Sequence, residues 1–129
     1  SDMSRINLTD DAETIMSKVR KAKTDPEPLP DTIEGLEGRP EARNLVGIYA
    51  AMTDATPADV LAQFGGQGFG SFKPALGEML AEKLGPIAAR LRDLQANPDE
   101  VDAILAKGAE KARVLAAPTL AKAYAAMGL

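Results

Sequence analysis

The sequence predicts an all-α protein, a helical bundle of about five helices, and three observations carry that expectation. Alanine, the strongest helix former, supplies 23 of the 129 residues and is concentrated in the second half. No stretch of four to eight residues alternates apolar with polar or concentrates β-branched side chains, so no sheet is expected. Apolar residues recur at helical spacing instead: Leu76, Leu80, Leu84, Ile87, Leu91 and Leu94 step by four, four, three, four and three.

The elements follow in order. After an irregular lead-in over 1–9, a first helix is expected from near Asp10, with Glu13 at capping-box spacing. Its apolar face is Ile15, Met16, Val19 and Ala22. Lys18, Arg20, Lys21 and Lys23 crowd its end, where cations either stabilise a helix C-terminus or meet an anion such as RNA. Residues 24–40 read as a linker, because Pro26, Pro28, Pro30 and Pro40 with Gly35 and Gly38 oppose regular structure. Its acids, Asp25, Glu27, Asp31, Glu34 and Glu37, are expected to form a solvated acidic loop, since such a segment cannot hold carboxylates at fixed separation.

A second helix is expected over 41–52, burying Leu45, Val46, Tyr49 and Met52, with Asn44 beside that face. Thr56-Pro57-Ala58-Asp59 opens a short third helix with an N-cap, a proline at the first position and an acid at the third. Its buried side is Val60, Leu61 and Phe64. Gly65-Gly66-Gln67-Gly68-Phe69-Gly70 follows a helix rather than a strand and lacks a closing Gly-Lys-Ser/Thr. A tight helix connection therefore fits it better than a phosphate cradle.

The fourth helix spans 71–95, capped by Ser71, with Pro74 in its first turn and a bend expected at Gly85-Pro86. Asn97-Pro98-Asp99-Glu100 reads as the cap of a fifth helix whose inner face is Val101, Ile104, Leu105, Gly108, Ala112 and Leu115. Pro118 is expected to kink it, Leu120, Ala123, Tyr124 and Met127 continue it, and Gly128 ends it.

Composition excludes much chemistry. There is no cysteine and no histidine, hence no disulfide, thiolate metal site, Ser-His-Asp triad or imidazole acid–base. No apolar run approaches a membrane span, and none reads as a secretion signal. A net charge of −4 argues against non-specific DNA coating, and 4% aromatics are too few for a single-strand stacking platform. A local basic face on an acidic body remains open.

The cations of the last helix can form one, although the pattern by itself establishes no site. Lys107 and Lys111 are four apart and Lys122 lies about 60° round the helix from Lys107, so the three share an edge. Arg113 falls about 160° from Lys111, on another face. Lys73 sits at the start of the fourth helix, where the dipole disfavours a cation, so something negative is expected beside it. Taken singly, each of these lysines suits a solvated surface role.

Four segments in matching order carry a family resemblance that covers essentially the whole chain. "INLTDDAETI" (6–15) with "KAKTDPEP" (21–28) resembles the stretch after the KMSKS loop of bacterial tryptophanyl-tRNA synthetases, a class I family. "NLVGIYAAM" (44–52), "FGGQGFGSFKPALGEMLAEKLGPIAARL" (64–91) and "GAEKARVLAAPTLAKAYAAMGL" (108–129) resemble that family's next helix, its glycine turn with the long helix, and its C-terminal helix. The family's HIGH and KMSKS motifs are absent; Met3-Ser4-Arg5 echoes the second but stands too close to INLTDD and lacks the flanking lysine.

The resemblance implies a C-terminal part of a cytoplasmic tryptophan–tRNA ligase, which uses ATP with Mg to join L-tryptophan to tRNA(Trp), releasing AMP and pyrophosphate. The intact family is homodimeric through a Rossmann catalytic domain. Residues 1–23 are then a lead-in and seam helix beside that domain, 24–40 the linker, and 41–129 a helical anticodon-binding domain. No catalytic, cofactor-binding or metal-binding residue is expected in the chain. Lys73, Lys107, Lys111, Arg113 and Lys122 are the expected RNA contacts. A free-standing helical module for protein–protein interaction is the alternative.

Overall fold

The computed structural model describes residues 2–128; the expected outer bounds at Ser1 and Leu129 lie outside the described residues. Among the described residues five α-helices form: α1 (Ala12–Lys21), α2 (Pro40–Thr53), α3 (Pro57–Phe64), α4 (Phe69–Ala96) and α5 (Pro98–Met127). Short 3-10 turns occupy Asp2–Ser4 and Glu34–Leu36, and there is no strand among the described residues. The chain divides into two compact units between Leu91 and Arg92.

The first unit is built on one apolar core. Ile15 and Val19 of α1, Leu45 and Val46 of α2, Val60, Leu61 and Phe64 of α3, and Phe72, Leu76 and Leu80 of α4 are all buried. Tyr49, Phe64 and Phe72 meet as an aromatic cluster, with Phe64 edge-on to both partners at 5.1 Å between ring centroids. Edge-on pairs of this kind add to the burial of the rings themselves. Thr56 and Asp59 form the expected capping box, each side chain bonded to the other residue's backbone N–H.

Several local expectations are corrected. Asp11, not Asp10, caps α1 by accepting from the Thr14 N–H at 2.8 Å. Asp10 is committed elsewhere: it accepts from the Asn7 N–H at 2.9 Å and from Lys18 Nζ at 2.7 Å. Lys18 is buried, and a second carboxylate, Asp2, lies 3.2 Å from it.

The 24–40 segment is more than a solvated loop. Leu29 and Leu36 are buried in the core, and Arg39 chelates Asp25 at 2.6 and 3.0 Å while donating to the carbonyls of Glu27 and Pro28. The other acids, Glu27, Asp31, Glu34 and Glu37, are exposed. The glycine turn holds this segment: Gly66 N–H donates to the Leu29 carbonyl and Leu29 N–H to the Gln67 carbonyl. Gly66 has φ +74°, and a Cβ on Gly65 would collide with Asp31 and the Leu61 carbonyl, so both positions need glycine.

α4 begins two residues before Ser71, because the Gly68 carbonyl already accepts from the Ser71 and Phe72 N–H groups. Its helix runs unbroken through Gly85-Pro86, and its stripe grades from buried Leu76 and Leu80 through half-buried Leu84 to exposed Ile87.

In the second unit, α5 runs unbroken through Pro118 and ends at Gly128 in the left-handed region, φ 76°. Asn97 makes no capping bond; its Nδ2 donates back to the Asp93 carbonyl at 2.8 Å. The expected inner face is also corrected: α5 buries no residue, with Ile104, Leu105, Leu115, Leu120, Tyr124 and Met127 exposed. An amphipathic stripe is a capacity for burial, and a partner must supply the burial itself.

Candidate functional site

Three basic features stand on this frame. Lys107, Lys111 and Lys122 are exposed on the unbroken α5 helix, so the helical period keeps them on one edge. None of the three has an ion pair or hydrogen bond among the described residues. Arg113 is exposed too, but it pairs with Glu110 one turn earlier on another face.

Lys73 belongs to the first unit and has a structural partner. Its Nζ donates to the Ala22 carbonyl at 2.6 Å and approaches the Arg20 carbonyl at 3.4 Å. The negative group expected beside it is the carbonyl end of α1, whose last C=O groups lack partners within the helix. Nζ also stands 5.9 Å from the Phe69 ring centroid. Lys73 thus answers the dipole of one helix while opening another.

The four cations at the end of α1 divide by role. Lys18 is consumed by Asp10 and Asp2; the hydrogen bond it donates to Asp10 pushes its ammonium up from the ordinary value, and Lys18 in turn holds the Asp10 carboxyl down. Lys23 pairs with Glu41 at 3.0 Å and lowers the Glu41 carboxyl. Arg20 and Lys21 are exposed, with no side-chain partner among the described residues. Residue type and spacing could not separate these four, because the carboxylates that neutralise Lys18 and Lys23 come from other segments.

Two concavities border α1. A groove of about 580 Å³ has an apolar floor of Leu45, Ile48 and Met52 from α2 and Leu76, Leu80 and Leu84 from α4. Arg5, Lys21 and the Lys23–Glu41 pair line it as well. On α2 the floor residues are spaced 3 and 4, and on α4 they are spaced 4 and 4, so two helical ridges form its base. A smaller pocket of about 410 Å³ lies between α1 and the first turns of α4.

The glycine turn, the one phosphate-cradle candidate in the sequence, directs the Gly66 N–H at the Leu29 carbonyl and packs Gly65 against Asp31. Among the described residues, no three carboxylates gather as a metal site. Among the described residues, no helix is long and apolar enough to cross a membrane.

Comparison with known proteins is informative at this point. No family model matches the chain. It is 60% identical to a tryptophan–tRNA ligase of Caulobacter vibrioides over 99% of the chain and 37% of that protein. It is 56% identical to one of Mesorhizobium japonicum over the whole chain and 36% of that protein. A chloroplastic/mitochondrial tryptophan–tRNA ligase of Arabidopsis thaliana is 39% identical over 99% of the chain and 31% of its own length. The chain thus spans about a third of the length of the curated relatives it matches.

Proposed function

Because the chain belongs along its whole length to the tryptophan–tRNA ligase family, as a piece about a third as long as its members, we propose that it is the helical part that receives the anticodon arm of tRNA(Trp). The intact protein is then a cytoplasmic ligase that uses ATP with Mg to join L-tryptophan to tRNA(Trp), and a homodimer through the catalytic domain. ATP and Mg act in that other domain, and this chain by itself has no active site. The relatives' shared identity does not favour a free-standing protein–protein interaction module.

The observation that carries the reading for this chain is the Lys107–Lys111–Lys122 edge, solvated and unpaired on a body of net charge −4. Such an edge attracts RNA phosphates, while the acidic remainder limits indiscriminate binding. Arg113, tied to Glu110, and Lys73, tied to α1, contribute less as free charges. The groove along α1, apolar at its floor, is the seam on which the catalytic domain rests.

The test is fluorescence anisotropy of a labelled tRNA(Trp) anticodon stem-loop, titrated with the chain across a salt series. A stem-loop with a scrambled anticodon serves as control. Preference for the CCA loop that survives moderate salt is the expected result. Equal binding of both loops that collapses with salt would reduce the reading to phosphate attraction, and no binding would overturn it.

A further inference from the structure

The smaller pocket is walled by Met16 and Arg20 of α1 and by Phe69, Gly70, Lys73 and Pro74 of α4. Two of its six lining residues are cations and none is an acid, on a protein whose acids outnumber its bases. Arg20 is exposed and its guanidinium has no partner among the described residues, so its donors are available to an incoming anion. Lys73 is different in kind. Two carbonyls at the end of α1 fix its ammonium, which makes it a preorganised charge in the pocket wall rather than a swinging side chain. Phe69 is half-buried, Met16 is half-buried and Pro74 is exposed, so apolar surface faces the space beside the two cations. The volume, about 410 Å³, is in the range that small-ligand sites occupy.

A wall that joins an aromatic ring, apolar side chains and paired cations suits a ligand with a flat apolar face and an attached phosphate. An unstacked nucleotide has both parts: its base lies against aromatic or apolar side chains while Arg and Lys take the phosphate. We propose that this pocket between α1 and the start of α4 holds one unstacked nucleotide of the bound RNA, with Arg20 and Lys73 on its phosphate and Phe69 against its base. This rests on the reading of the chain as an RNA-binding part of a tRNA ligase, and it adds a point of contact within the first unit.

The test uses the whole chain, the labelled anticodon stem-loop, and the variants Arg20→Gln, Phe69→Leu and Lys111→Ala. Arg20→Gln should weaken binding about fivefold or more and lower the salt slope by about 0.7, the value for one phosphate on a single strand. Phe69→Leu should weaken binding by a similar factor with the slope unchanged, because a stacking partner is lost and no charge. Unchanged affinity in both variants, with Lys111→Ala still impaired, would overturn the pocket and leave the RNA reading standing. No stem-loop binding by the unmodified chain would overturn both. Arg20 is exposed, so its variant should keep the unmodified melting temperature. A second measurement removes the rest of the RNA: cytidine monophosphate should shift the NMR signals of Phe69 and Gly70 where equal inorganic phosphate does not. Equal shifts from both would reduce the pocket to an anion site and overturn the nucleotide assignment.

Discussion

Lys73 Nζ donates to the Ala22 carbonyl at 2.6 Å across 51 residues of sequence, joining the first turn of α4 to the last turn of α1. The contact sets one helix's unfavourable cation against another's unfilled carbonyls, so a residue that is locally misplaced becomes stabilising once the helices pack. Replacing it by methionine keeps the apolar stem and removes the donor. Lys73→Met should cost on the order of 1 kcal/mol and speed amide hydrogen exchange over the last turn of α1, with α3 unaffected. Unchanged exchange in α1 would deny the cap.

Core and helix-face positions should separate sharply. Phe72 is fully buried within the aromatic cluster, and Phe72→Ala should cost about 3–5 kcal/mol in denaturant unfolding. Leu115 is 80% exposed, and Leu115→Ala should change stability by no more than about 0.5 kcal/mol. A loss above about 2 kcal/mol at Leu115 would mean that the α5 face is covered in solution.

The glycines divide in the same way. Gly65→Ala places a Cβ 2.6 Å from the Leu61 carbonyl oxygen and against Asp31, so backbone must shift; a loss of about 1–3 kcal/mol is expected. Gly47 lies inside α2 with nothing within 4 Å of an added Cβ. Gly47→Ala should stabilise the protein by up to about 1 kcal/mol, through helix propensity. Thermal melts of the two variants should move in opposite directions.

Stability should be nearly flat with pH from about 5.5 to about 9, since no histidine or cysteine titrates there. Hydrogen bonds from Lys18, Arg39 and Thr56 hold Asp10, Asp25 and Asp59 below the ordinary value of 3.8, and Lys23 holds Glu41 below 4.5. A carboxyl lowered on folding stabilises the protein above its unfolded value, and that contribution is lost as pH falls through the folded one. Lys18, raised above 10.5 by Asp10, has the opposite sign: its contribution is present below that value and lost in strong base. Asp10→Asn should therefore lower the melting temperature at pH 7 and reduce its fall between pH 5 and 3. A titration step near pH 6.5 would contradict the scheme.

What the sequence determined by itself is local. Helical class, the Thr56–Asp59 capping box, the end of α5 at Gly128 and the buried stripe of α3 follow from propensity and spacing, which act within a few residues. The family resemblance was equally legible, because it rests on residue order alone. Tertiary structure decided the rest. It assigned Asp10 to Lys18 in place of the helix cap, folded Leu29 and Leu36 of the proline-rich segment into the core, and put Lys73 against α1. It also separated Lys18 and Lys23, spent on carboxylates, from Arg20, left open on the edge of a pocket. The physical reason is that the worth of a charge or an apolar face depends on what stands opposite it. For Lys73 that partner is 51 residues away, beyond the reach of helical periodicity.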